Sequence, residues 1–321
     1  MRRVEIVYKA GFGRYGLELP SPPDENTIYH IASLTKAFST TAVMMIADQG
    51  KVDVHAPLTS VIPEFQLQDQ WIGEHVTPID ILSHRVGIAG GSWLWSQGGI
   101  AIISPWTSWL RTLATFPQVQ DFRQGFLYRN LLYGLVAELV ERTTGQTYGS
   151  FITENIFQRL GMHRSSIKMD GPPPENYAKA YMPMDDGSFV SIDRPETKDG
   201  TIQAFAGGVR SCVKDMLSFY DEILQARRRD EASASEGCPG VIKNASLLTA
   251  GHTFLSHSSL YEGSAALGLL RVQLPNTFGD IGPNSGLITP MPTIGRDDPS
   301  RLVLFHQGSY PGYLSSAMMV P

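Results

Sequence analysis

Cysteine is scarce in this chain of 321 residues: Cys212 and Cys238 are the only two, too few for a disulfide framework. Charge of one sign is not in large excess. Lys and Arg number 26 against 31 Asp and Glu, a formal net charge of −5, and no basic run stands out. Nothing therefore favours nucleic acid or an anionic membrane as a partner. No apolar run approaches the length needed to cross a bilayer. Met1-Arg2-Arg3 leads into Val4 to Ala10, which reads as a strand and lacks the apolar stretch and small-residue cleavage site of a signal peptide. The default expectation is a soluble cytoplasmic protein, and the sequon Asn244-Ala245-Ser246 matters only if that default fails. Metal chemistry finds no support: no His-Glu-x-x-His occurs, and His252 and His257 are five apart, the wrong step for two ligands on one helix face. With no Gly-rich nucleotide fingerprint either, we expect no cofactor and no metal.

What is present is an ordered set of three short motifs. Ser33-Leu34-Thr35-Lys36 lies where a strand-like run, Ile28 to Ala32, gives way to an almost wholly apolar helical segment, Ala37 to Ala47. Residues i and i+3 share a helix face, so the Lys36 amine can lie beside the Ser33 hydroxyl. A serine is a weak nucleophile until a neighbouring base activates it, and a helix N-terminus favours the oxyanion formed during acyl transfer. Ser-x-x-Lys also occurs at Ser165/Lys168 and Ser211/Lys214, but only Ser33 opens an apolar helix. Further on, Tyr128-Arg129-Asn130 is the only Tyr-x-Asn. It precedes Leu131, Leu132, Leu135, Val136, Leu139 and Val140, whose spacing predicts a helix ended by Gly145. His306-Gln307-Gly308 is the only His-x-Gly and follows the strand-like Leu302 to Phe305.

Each motif has a plainer reading. Ser33 and Asn130 could cap their helices, Lys36 could be a surface lysine, Tyr128 a core aromatic, and His306 a hydrogen-bonded histidine at a strand end. The order and context of the three motifs, however, resemble the serine β-lactamase, penicillin-binding-protein and esterase superfamily, in which Ser-x-x-Lys carries the nucleophile. The likeness is greatest to the class C β-lactamase, carboxylesterase and transacylase branch, where the third motif is often His-x-Gly. It extends to "GKVDVHAPLTSVIPEF", "VTPIDILSHRVGI", "ELVERTTGQTYGSFITENIFQRLGM", "AFAGGVRSCVKDMLSFY" and "HQGSYPGYLSSAMMVP". The absence of a Gly-x-Ser-x-Gly elbow argues against an ordinary α/β-hydrolase.

The resemblance implies an α/β (α+β) fold, β-lactamase/transpeptidase-like, with an antiparallel sheet flanked by helices and an inserted, mostly helical subdomain. Residues 1–55 and 166–321 would form a discontinuous α/β subdomain and 56–165 the helical one, with the active site between them. It also implies roles: Ser33 as nucleophile, Lys36 and Tyr128 as proton carriers, and Asn130, His306 and Gly308 as orienting groups. The backbone N–H groups of Ser33 and Ser309 would form the oxyanion hole. Trp93 and Trp95 are candidates for an acyl pocket, and the role of Arg129 is open. A histidine in place of a permanently charged lysine weakens a fixed anion site, which favours a small-molecule ester or thioester over a carboxylate-bearing β-lactam. Water or an acyl acceptor, which could be a carrier protein, would release the acyl group. The alternative is a catalytically silent binding protein or fragment. Family members carry a further helix and strand before the opening segment, and a strand and helix beyond the equivalent of Ser315 to Pro321. By that comparison the sheet would lack its central strands, and weak stability or self-association would follow. Elsewhere, Arg227 to Gly240 and Pro275 to Pro299 read as exposed loops.

Overall fold

Helix α1, Thr35–Asp48, is buried on every side from Thr35 to Ile46, with its apolar residues distributed around the helix and no polar face left for water. The computed structural model of the protein describes residues 5–19, 21–91, 108–168, 173–232, 240–255, 262–279 and 290–321. Around α1 pack α2 (Gln70–His75), α3 (Pro78–Leu82), α4 (Trp109–Leu113), α5 (Gly134–Thr144), α6 (Tyr148–Ile152), α7 (Ala204–Gly207), α8 (Val213–Glu231) and α9 (Ala245–Thr249). Phe38 of α1 meets Phe157 edge-on at 5.3 Å between centroids and Phe219 of α8 at 4.0 Å. Several polar groups of α1 find partners within this core. The Ser39 hydroxyl donates to the Phe205 carbonyl at 2.6 Å and lies 2.7 Å from the Tyr148 hydroxyl, while Thr41 donates to the Ala37 carbonyl.

The sheet is an antiparallel meander of β5 (Thr253–Phe254), β6 (Gly263–Ala265), β7 (Leu270–Gln273), β8 (Leu302–Tyr310) and β9 (Tyr313–Met319), in that spatial order. In the β8–β9 hairpin His306 faces Ala317 and Gly308 faces Ser315, and the chain turns at Pro311-Gly312, where Gly312 takes φ +82°. A short pair, β1 (Tyr29–His30) with β4 (Arg210–Ser211), fixes the entrance to α1 against the strand preceding α8. A separate hairpin joins β2 (Ala180–Pro183) to β3 (Phe189–Ile192). Between residues 56 and 165 the described regular elements are all helical. Among the described residues, no helix is long and apolar enough to cross a membrane.

Several local expectations change. Residues 5–10 form no strand: Ile6, Val7 and Tyr8 are exposed and find no strand partner among the described residues, and an unpaired strand is not stable. The strand at 28–32 shrinks to Tyr29–His30 because Ala32 turns at φ +48°. The strand expected to end near Phe305 continues to Tyr310 because β9 pairs along its length. Part of the expected loop at 227–240 is helical, since α8 runs to Glu231 with Arg227 donating to Glu231 one turn on. Helix α5 ends as anticipated, with Gly145 in the left-handed conformation at φ +73°. Strand β9 forms one edge of the sheet and exposes Leu314 and Met318, with Val320 just beyond.

One buried carboxylate ties the α3 region to the segment that leads into Tyr128. Asp80 closes a capping box with Thr77 and accepts hydrogen bonds from Arg85 (2.6 Å) and Arg123 (2.7 and 2.9 Å). Burial alone would raise its pKa, but hydrogen bonds from Arg123 and the Thr77 amide, with Arg85 beside it, hold it below the ordinary carboxylate value. Asp80→Asn should therefore cost about 3 kcal/mol of stability, because two guanidinium groups lose a buried partner. Denaturant unfolding of the two proteins checks this, and equal stabilities would refute the importance given to Asp80.

Candidate active site

Ser33 enters the site from a tight 3-10 turn, Ala32–Leu34, that immediately precedes α1. Ala32 holds a positive φ, uncommon for a residue with a Cβ, and swings the chain from β1 into the helix. The Ser33 hydroxyl makes no helix-capping hydrogen bond. It lies instead 3.2 Å from the Lys36 amine. Lys36 is completely buried, and its Nζ also lies 2.7 Å from Asn130 Oδ1 and 2.9 Å from the Ala206 carbonyl. Its flanks are the rings of Tyr128, 4.8 Å away, and Tyr133, 5.2 Å away. Burial lowers its pKa well below that of an ordinary lysine.

Asn130 sits at the start of the 3-10 turn Leu131–Tyr133 that leads into α5, yet its side chain caps nothing and turns to Lys36. The Tyr128 hydroxyl is buried and makes no complete hydrogen bond within the described structure. Burial raises its pKa strongly, opposed only in part by interaction with the Ser33 hydroxyl. The two groups are thus displaced in opposite directions, the amine toward its neutral base form and the phenol toward its neutral acid form.

His306 lies in the middle of β8, buried, with Nδ1–H donating to the Gln307 carbonyl at 2.6 Å. That bond places the remaining lone pair on Nε2. Burial, and then the charge of Lys36, push its pKa down to about 3. Gly308 is required by close approach: a Cβ there would stand 2.3 Å from the Ile31 carbonyl and 3.1 Å from the Ala32 Cβ. Its missing side chain lets β8 lie against the turn that carries Ser33, and the Ser315 hydroxyl completes the seam by donating to Ile31 at 2.7 Å. Ser309 follows on β8 and is exposed. Trp93 and Trp95 lie outside the described residues.

The structure thus gathers Ser33, Lys36, Tyr128 and Asn130 around one amine, with His306 close to Tyr128 at 6.0 Å between ring centroids. The other two Ser-x-x-Lys serines are occupied elsewhere. Ser165 and Ser211 pair with each other at 2.7 Å, and Ser165 donates to Asp215, while Lys168 and Lys214 are exposed. Two contributors were not legible as single residues. The Ala206 carbonyl and the His84 ring both come from blocks noted above for their resemblance, but neither a backbone acceptor nor a packed histidine leaves a spacing signal.

Comparison with known proteins gives this arrangement a family. The beta-lactamase family model matches residues 1–321, and the chain belongs to that family of serine hydrolases. The chain is 25% identical over 247 residues to the unguisins hydrolase ungD of Aspergillus violaceofuscus (strain CBS 115571), covering 72% of this chain and 41% of that protein. It is 28% identical over 193 residues to the esterase EstB of Burkholderia gladioli, covering 56% of this chain and 48% of that protein. The chain therefore spans less than half the length of either relative. The structure of the octameric penicillin-binding protein homologue from Pyrococcus abyssi superposes with a TM-score of 0.75 at 22% identity, covering 99% of this chain and 64% of that one. The fold is the β-lactamase/transpeptidase-like α/β fold, with its antiparallel five-stranded sheet and helices.

The buried histidines generate a pH prediction. His306 and His30 are both held near pKa 3, His30 mainly by burial and secondarily by the charge of Arg210. In the unfolded chain each would titrate near its ordinary value of about 6.5. Below that value the unfolded state binds more protons, so stability falls with pH until the folded-state value is reached. Between about pH 7 and about pH 5 each histidine should remove on the order of 2 kcal/mol. His306→Gln should unfold with a smaller loss of stability over this range than the unaltered protein, whatever its stability at neutral pH. An unchanged pH dependence would show that His306 is not held neutral by the fold.

Proposed function

We propose that the protein is a serine hydrolase acting on a small ester or thioester through an acyl-enzyme formed on Ser33. The observation that carries this reading is the hydrogen-bonding inventory of Lys36. A neutral amine offers two N–H donors and one lone pair. The Asn130 and Ala206 oxygens take the two donors, which leaves the lone pair for the Ser33 hydroxyl. In this form Lys36 is a general base already aimed at its nucleophile.

In the first step Ser33 Oγ bonds to the acyl carbon as its proton passes to Lys36. The resulting oxyanion is held by the backbone N–H groups of Ser33 and Ser309. The bond from the acyl carbon to the leaving oxygen or sulfur then breaks. Tyr128, kept as a phenol by its burial, donates a proton to the leaving group and recovers one from Lys36. In the second step water loses a proton to the same pair and bonds to the acyl carbon, and Ser33 leaves with its proton restored. An acceptor alcohol in place of water would give acyl transfer. Hydrolysis is favoured by the kinship with proteins named as a hydrolase and an esterase. The neutral His306 offers no permanent cation to a substrate carboxylate, which supports an ester or thioester over a β-lactam.

Ser33→Ala should abolish both p-nitrophenyl acetate hydrolysis and labelling by a fluorophosphonate probe, read by intact mass, while Ser165→Ala and Ser211→Ala retain both. Labelling that survives the Ser33 change would refute the nucleophile, and an unaltered protein that is never labelled would point instead to a silent binding protein. Short-chain esters should react much faster than nitrocefin, and His306→Lys should narrow that gap. Efficient nitrocefin hydrolysis by the unaltered protein would contradict the role given to His306.

A further inference from the structure

His84 grips the Tyr128 segment through backbone, side chain and ring together. Its carbonyl accepts the Leu127 N–H at 2.8 Å, its Nδ1 accepts the Arg129 N–H at 3.0 Å, and its ring lies against Tyr128 at 4.3 Å between centroids. Those contacts bracket Tyr128 on both sides along the chain and over one face of its ring. His84 is itself buried, and its backbone adopts φ +58°. A histidine held in the left-handed region costs free energy, and such residues persist where the surroundings over-determine them. Because Nδ1 accepts from Arg129, the ring proton resides on Nε2, which is buried without a partner among the described residues. Burial, with the Arg129 guanidinium nearby, keeps the ring neutral, so Nδ1 remains an acceptor.

Arg129, whose role the motif left open, completes the hold. Its Nε donates to the Ile88 carbonyl at 2.6 Å and one terminal nitrogen donates to the Tyr128 carbonyl at 2.8 Å. The guanidinium thus joins the Ile88 and Tyr128 backbone carbonyls, linking the 84–90 stretch to the Tyr128 segment. Every backbone polar group from Leu127 N–H to Arg129 N–H that these bonds reach is tied directly or through Arg129 to the residues after α3. Those residues are anchored in turn by Asp80 through Arg85 and Arg123.

We propose that His84, backed by Arg129, is a positioning residue that fixes Tyr128 over Lys36, and that its neutral Nδ1 acceptor is the feature required. The inference rests on the acyl-enzyme reading above for its effect on rate, but the hold on the backbone can be measured without any activity. His84→Asn supplies a side-chain oxygen able to replace Nδ1 and a residue that tolerates the left-handed backbone, whereas His84→Ala supplies neither. In the full-length chain, native-state hydrogen exchange of the peptide spanning residues 127–130 should accelerate at least tenfold in His84→Ala. It should return to within about threefold of the unaltered rate in His84→Asn, a protection governed by local opening. For p-nitrophenyl acetate, kcat should fall about 100-fold in His84→Ala with KM within about twofold, the loss expected for a proton carrier displaced by about an ångström. His84→Asn should restore at least a tenth of the original kcat.

Unchanged exchange at 127–130 in folded His84→Ala would overturn the proposal, as would exchange and kcat that fall equally short in both variants. A His84→Ala protein that does not fold leaves the decision to His84→Asn and to Arg129→Gln. Arg129→Gln should also loosen the 127–130 peptide, and protection left intact there in Arg129→Gln, or lost in a folded His84→Asn, would count against the proposal. If the unaltered protein cleaves no ester, the acyl-enzyme reading fails while the exchange measurement still decides the role of His84.

Discussion

The site depends on removing one primary amine from water. Lys36 has no exposed surface, and its surroundings are two carbonyl-type oxygens, a hydroxyl and two aromatic rings. Desolvation penalises the ammonium form and shifts the amine toward its neutral, basic form. The same dry environment strengthens the interaction of that amine with the Ser33 hydroxyl and penalises ionisation of Tyr128. Helix α1 makes this possible because a helix buried on all sides carries its single lysine into the core with it.

A buried amine must also be satisfied, and its partners come from distant parts of the chain. Asn130 reaches it from the turn before α5 and Ala206 from α7, separated from Lys36 by 94 and 170 residues. Each partner therefore needs its own support. The α7 helix is seated beneath α1 by the hydrogen bond from Ser39 to Phe205. The 127–130 segment is held by His84, Arg129 and, further out, the Asp80 hub. Polar networks of this kind are costly when incomplete, which couples the integrity of the site to that of the core.

The third motif works by a different physics. Strand β8 passes against the Ser33 turn because Gly308 has no side chain, and the Ser315 hydroxyl on β9 secures the same turn. His306 is thereby drawn into the core as a neutral group, not held at a solvated strand end. The charge state that separates an ester site from a carboxylate-binding one follows from burial, and burial follows from the pairing of β8 with β9.

Much of this was legible in the residues themselves. The apolar run after Lys36 announces a buried helix, the spacing from Leu131 to Val140 with Gly145 announces α5 and its end, and i,i+3 geometry places Lys36 beside Ser33. These are short-range properties, set by backbone geometry and the period of apolar residues. Strand extents were not legible: β8 runs through His306 because β9 lies alongside it, and residues 5–10 find no strand partner among the described residues, since a strand exists only with its neighbour. Among the three Ser-x-x-Lys serines, sequence context had already singled out Ser33, and in space Ser165 and Ser211 pair with each other while Ser33 lies beside the buried Lys36. The linear chain set the identity and order of the motif residues. Tertiary structure decided their protonation states and their supports, because desolvation and long-range hydrogen bonding are properties of what surrounds a residue, not of what precedes or follows it.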